Sequence, residues 1–275
     1  MPSFDPMRSV KVTRLTDDQA MAATSSDDFV AVEEPLEIRV HGRSLAVVMR
    51  TPGNDRELVA GFLWTEGLIR QREDVLDIVY CGNGETGPRD NVMEAHLAPS
   101  VTLDWKRLTR HTFASSSCGL CGKASIDAVR QIFPPIRRKE GFAPLASLIA
   151  TLPEKLRGAQ RTFSLTGGLH ASGLFDSAGE LLAVREDVGR HNALDKIVGQ
   201  AFFAEKLPLD QTILLVSGRV SFELMQKALA VGIPLVAAIS APTSLAVDFA
   251  RESGQILVGF VRNERMNVYA GTLTG

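Results

Sequence analysis

Thr212-Ile213-Leu214-Leu215-Val216-Ser217-Gly218-Arg219 is the stretch on which the fold turns. An apolar run without alternation stops abruptly at small residues and a charge. A parallel strand covered on both faces needs such a run, because neither side of its pleat meets water. The pattern recurs at residues 235–239, closed by Ser240-Ala241-Pro242-Thr243, and at residues 256–261, closed by Arg262-Asn263-Glu264-Arg265. Residues 221–231 and 244–252 between them carry helical spacing. Alternating strands and helices predict an α/β architecture with parallel strands whose carboxyl ends share one edge, where ligands of such sheets bind. Ser217, Gly218, Arg219, Ser240, Thr243, Arg262 and Arg265 are therefore candidate binding residues. Arginine forks and helix N-terminal amides suit phosphate oxygens. Neither a GxGxxG fingerprint nor a Walker lysine motif is present, so ATP hydrolysis is not indicated.

Upstream, Arg185-Glu186-Asp187-Val188-Gly189-Arg190-His191-Asn192 is dense in functional side chains and precedes a helix expected over about 191–206. The run reads either as ligand contacts between a strand end and a helix start or as a solvated loop. A hairpin is expected before it. One strand spans residues 162–175, bulged at Gly167-Gly168, a turn follows at Asp176 to Gly179, and residues 181–184 return. The hairpin would bring His170, and the helix His191, to the ligand edge. An amphipathic helix is expected over 142–156.

The first part of the chain reads as a small α+β unit. Leu36, Ile38 and Val40 alternate with polar residues, His41-Gly42 supplies a turn, and residues 45–49 return. A helix starts at Asn54 or Asp55, carries Leu58, Phe62 and Leu63 on one face, and ends near Gly67. Glu66 beside that end is either an exposed charge or the partner of a cation. Residues 75–81 and 92–97 read as strands joined by a loop, and Cys81 reads as structural. Residues 1–30 are polar and read as a flexible, frayed terminus. The division expected is thus 1–30, 31–110 for the small unit and 111–275 for the α/β domain.

Ser115-Ser116-Ser117-Cys118-Gly119-Leu120-Cys121-Gly122 holds two of the three cysteines. They stand among small residues before a helical segment expected over 123–133. A mobile loop or helix N-terminus favours thiolate, the nucleophilic form. Buried structural cysteines, half of a zinc site completed by histidines such as His170 and His191, and a redox pair are the other readings. No second CxxC is present to close a zinc site.

With 275 residues, 45% of them hydrophobic, the chain can bury a sizeable core. A net charge of −2 leaves no electrostatic footprint for nucleic acid. No apolar run is long enough to span a bilayer, and the first residues do not read as a signal peptide. Three cysteines make no disulfide framework, so a reducing cytoplasm is the expected compartment.

Together these motifs resemble the FdhD family of sulfur carrier proteins needed for formate dehydrogenase activity. The likeness rests on Thr51-Pro52, Gly61-Phe62-Leu63, Thr65-Glu66-Gly67, Ser117-Cys118-Gly119 with Cys121-Gly122, and Thr166-Gly167-Gly168 with His170. It continues through Glu186 to Lys196, Ser217-Gly218-Arg219, Ser240 to Thr243, and Gly259-Phe260 with Arg262, Arg265, Asn267 and Tyr269. The resemblance implies a cytidine deaminase-like three-layer sandwich with a mixed, partly parallel sheet, and a homodimer. It implies sulfur taken from a cysteine desulfurase as a persulfide on Cys118, assisted by Cys121. The acceptor it implies is the molybdenum cofactor, bis(molybdopterin guanine dinucleotide), on its way to formate dehydrogenase. On the matching positions, Phe260, Val261, Arg262, Asn263, Glu264 and Arg265 would hold that cofactor. Deamination itself is not expected: Ser117 stands where P-C-x-x-C would need proline, and no histidine has a glutamate two residues on. A cofactor chaperone without catalysis and a CxxC redox or zinc enzyme are the alternative functions.

Overall fold

The computed structural model describes residues 5–16, 22–81, 91–105, 133–136 and 142–275. Cys118, Cys121 and the helix expected after them lie outside these residues, as does nearly all of the loop expected over 82–91.

The main sheet is six-stranded and mixed. Its strands are β7 (His170–Phe175), β8 (Leu181–Asp187), β9 (Ile213–Val216), β10 (Leu235–Ala238), β11 (Ile256–Arg262) and β12 (Arg265–Ala270), in the order β12-β11-β10-β9-β7-β8. β9, β10 and β11 run parallel, as their unalternated apolar runs require, while β7, β8 and β12 pair antiparallel to their neighbours. Burial explains the lack of alternation. Leu214, Val216, Val236 and Leu257 face a core built with α4 (Arg190–Phe203), α5 (Phe222–Ala230) and α6 (Ser244–Ser253). Ile213, Leu215, Leu235, Ala237, Ile256 and Val258 face the opposite core, closed by Ile149, Leu152 and Leu156 of α2 (Ala146–Ala159). Helices thus cover both faces of one sheet, giving three layers.

A four-stranded sheet stands apart. It comprises β3 (Glu34–Val40), β4 (Arg43–Arg50), β5 (Val75–Tyr80) and β6 (Val92–Leu97), in the order β4-β3-β6-β5. The β3–β4 turn is the expected His41-Gly42, both with positive φ. Helix α1 (Asp55–Thr65) covers this sheet with Leu58, Val59 and Leu63, and its other side packs on α4. Two glycines allow that approach. A Cβ on Gly61 would overlap the Asp195 carbonyl, and one on Gly199 would overlap that of Glu57.

The structure corrects several expectations. Within the stretch expected to be frayed, β1 (Met7–Thr16) and β2 (Ala22–Ala31) form a ten-pair antiparallel ribbon. Its described side chains are exposed or half-exposed, so composition alone disguised it as coil. Residues 162–166 of the strand expected over 162–175 are helical, as part of α3 (Arg161–Thr166). The Glu186 carboxylate accepts from the Thr162 and Phe163 amides at its start, and Gly167 ends it with φ 66°. A capping group distant in sequence decided that segment. Helix α2 begins at Ala146 rather than 142, because Pro144 and the Ala146 amide pair with Thr274. Arg262 to Arg265 is the tip of a hairpin, with Asn263 and Glu264 at φ 49° and 61°, and β12 after it was not expected at all.

Candidate functional site

The register places the strand ends together. Ser172 pairs with Val216, which sets His170 opposite Gly218, and His170 itself pairs with Asp187 at the end of β8. A Cβ added to Gly218 would lie 3.1 Å from His170 Nδ1 and 3.8 Å from Arg190 Cδ. The next connection joins the same edge, since the Val220 amide donates to the Ala241 carbonyl and the Phe260 amide to that of Ser240. The expected residues therefore share one edge of the sheet.

Their side chains are not equally free. The Ser217 hydroxyl accepts the Ala171 amide at 2.9 Å, latching β9 to β7. The Thr243 hydroxyl caps α6 by accepting from the Ala246 amide. Val261 is fully buried among core apolar groups, so only its backbone faces outward. Phe260 has φ 54° and lies 5.9 Å beneath the Arg262 guanidinium, a cation–π arrangement at the base of the hairpin. Arg219, Arg262, Asn263, Glu264 and Arg265 are exposed.

His170 and His191 sit deeper. Burial, and next the charge of Arg190, push the His170 imidazole below its ordinary range, against the pull of Asp187. His191 is buried and its Nε2 lies 3.2 Å from the Ser221 hydroxyl. Burial would raise the nearby Glu223 carboxyl. The Ser221 hydroxyl, the residue's own amide and the charges of His191 and Arg190 outweigh it and hold the carboxyl below its usual range.

The polar run from Arg185 to Lys196 divides its work. Asp187 accepts from the Thr51, Gly189 and Asn192 nitrogens and pairs with Lys196 at 2.7 Å. Lys196 also donates to the Thr51 carbonyl, and Asn192 to that of Met49. Arg185 holds Glu57 in a two-pronged ion pair at 2.6 and 2.7 Å. Asp195 meets Lys227 at 2.9 Å and Thr65 at 2.8 Å. Glu66, the uncertain charge of the sequence, faces Lys227 at 3.4 Å. Burial works against the Lys227 ammonium, but Asp195 and Glu66 overcome it and keep it charged. These bonds join the small unit to the main sheet. The run read as either ligand contacts or a solvated loop is largely a junction between two sheets, leaving Arg190 and His191 toward the strand-end edge. Sequence reasoning held Arg190 only as one member of that polar run and missed Ser221 and Glu223 beside it.

A cavity of about 620 Å³ lies elsewhere, between residues 51–54, the α2–α3 junction and β8. None of the expected strand-end residues lines it. Cys81 is half-buried, and burial pushes its thiol up, as expected of a structural cysteine. Among the described residues, no three His, Cys, Asp or Glu side chains gather as a metal site.

Residues 31–273 match the profile of the FdhD/NarQ family. A protein of Streptomyces avermitilis named sulfur carrier protein FdhD is 51% identical over 270 residues, covering 95% of this chain and 93% of its own length. A protein of the same name from Sulfolobus acidocaldarius is 43% identical over 263 residues, covering 96% of each chain. Among solved structures, a protein from Desulfotalea psychrophila described as a formate dehydrogenase accessory protein superposes with a TM-score of 0.75 at 22% identity. It covers 97% of this chain and 98% of its own. That likeness shows the fold alone.

Proposed function

The chain belongs to the FdhD/NarQ family, and on that premise we propose that it is a sulfur carrier acting as a sulfurtransferase for formate dehydrogenase. The single observation that carries the reading is about half identity, along nearly the whole chain, to proteins named as sulfur carriers. The chemistry begins at Cys118. Its thiolate attacks the terminal sulfur of a cysteine desulfurase persulfide, the donor's S–S bond breaks, and the donor cysteine leaves as thiolate. Cys121 assists: when its thiolate attacks the Cys118 persulfide, a disulfide closes and hydrosulfide leaves.

The acceptor we propose is the molybdenum cofactor, as bis(molybdopterin guanine dinucleotide), bound as substrate before it enters formate dehydrogenase. The strand-end edge fits its guanine nucleotide parts. Arg219, Arg262 and Arg265 offer forks for phosphate oxygens, and Phe260 stands at the base of the hairpin. His170, His191, Ser240 and Thr243 border the same edge. We read the topology as cytidine deaminase-like, the working state as a homodimer and the compartment as cytoplasmic. No helix among the described residues is long and apolar enough to cross a membrane.

Intact-mass measurement after incubation with a cysteine desulfurase and cysteine tests the reading. The wild type should gain sulfur and Cys118→Ala should not, with loss of client activation. A Cys118→Ala protein that still activated formate dehydrogenase would overturn the assignment. Elemental analysis of protein prepared without chelator should show far less than one metal per chain. Stoichiometric zinc lost in the cysteine variants would favour a zinc enzyme instead.

A further inference from the structure

Arg190 departs from the pairing that holds Asp187, Asp195, Lys196 and Lys227. It is the first residue of the fourteen-residue helix α4, whose first turn carries no acidic side chain. A cation there opposes the positive end of the helix dipole. Its side chain is partly buried, and its Nε is shut from solvent with no hydrogen-bond partner. Among the described residues, the guanidinium forms no ion pair.

Each charged or titratable neighbour is otherwise engaged. Both Asp187 oxygens serve Thr51, Gly189, Asn192 and Lys196. Glu223 takes the Ser221 hydroxyl and its own amide; it feels the charges of His191 and Arg190 but forms no ion pair with the guanidinium. His191 lies on Ser221, and His170 is held toward its neutral form. The guanidinium stem borders Gly218, whose missing Cβ makes room for the His170 ring beside it. A sequence that satisfies Asp187, Asp195, Lys196 and Lys227 so fully leaves a cation unpaired where its ligand supplies the counter-charge.

We propose that Arg190 contacts a phosphate of the nucleoside diphosphate part of the ligand bound on the strand-end edge, adding a residue that the motif at 260–265 does not contain. This rests on the nucleotide reading above. The fork presents parallel N–H donors to phosphate oxygens, and the bound anion offsets both the unpaired charge and the helix dipole.

Calorimetry on the full chain with GDP and with guanosine tests it, using Arg190→Gln and Arg190→Lys. Arg190→Gln should weaken GDP about tenfold or more, roughly the loss of one charge-assisted bond, and leave guanosine unchanged; Arg190→Lys should fall between. Without ligand, Arg190→Gln should melt at or above the wild-type temperature, since an unfavourable charge is removed. A purely structural arginine would lower it. GDP affinity unchanged in Arg190→Gln would overturn the proposal while sparing the nucleotide reading. Should the wild type bind no GDP at millimolar concentration, that reading falls, and pyrophosphate decides the rest by thermal shift. Stabilisation of wild type but not of Arg190→Gln upholds the anion contact, and stabilisation of neither, or of both alike, ends it.

Discussion

The junction between the two sheets and the strand-end edge are built from the same run of polar residues, yet they differ in one respect. At the junction the charges of this run are paired: Asp187 with Lys196, Asp195 with Lys227, and Arg185 with Glu57. At the edge, Arg190 has none among the described residues. Helical periodicity divides the labour, since Asn192, Asp195 and Lys196 turn toward α1 and the Thr51 loop while Arg190 and His191 stay at the edge. Satisfied polar groups hold a structure together, and an unpaired cation at an edge is open to an anion.

The largest effect expected of breaking this contrast is at the junction. Lys196→Met strands Asp187 and Lys227→Met strands Asp195, each with a buried carboxylate. Each should cost about 3–5 kcal/mol in denaturant unfolding, the usual result of removing one partner of a buried pair. Equal loss from Arg190→Gln would erase the distinction between the two regions.

Gly199→Ala drives a methyl into the Glu57 carbonyl and must part α1 from α4. Its cost should reach about 1–3 kcal/mol or more, as for other overpacked sites. A neutral result would mean that the helices can slide apart freely and that the junction is not rigid.

A smaller effect lies in titration. In the folded chain, burial and the charge of Arg190 hold the His170 imidazole below its ordinary value of 6.5. The unfolded chain therefore binds the proton more readily, so the His170 contribution is present above about pH 6.5 and lost as pH falls below it. Proton NMR of the imidazole should show a midpoint below 6.5, moved upward in Arg190→Gln, with burial retaining part of the shift. A midpoint unmoved by that substitution would separate Arg190 from His170.

The smallest effect is at the ribbon. A two-stranded ribbon with no buried side chain among its described residues is marginal in water, so its amides should exchange far faster than those of β9 and β10 while global stability barely depends on it. Strong protection along the ribbon would show that a partner covers it, a second copy of this chain being the first to test by sedimentation.

Sequence alone determined the parallel strands β9 to β11, their helices and the His41-Gly42 hairpin. In these, local pattern and tertiary demand coincide: a strand buried on both faces cannot alternate, and a tight turn needs residues tolerant of positive φ. Motif content likewise pointed to the family. Only the tertiary structure decided that residues 161–166 are helical, because the capping carboxylate of Glu186 comes from another strand. It alone separated Asp187, Asp195 and Lys196 from Arg190, since a charge in a sequence does not declare its partner. The ribbon and β12 escaped for a related reason: side chains exposed in an edge or paired strand carry little apolar pattern, and the backbone bonds that hold them leave none.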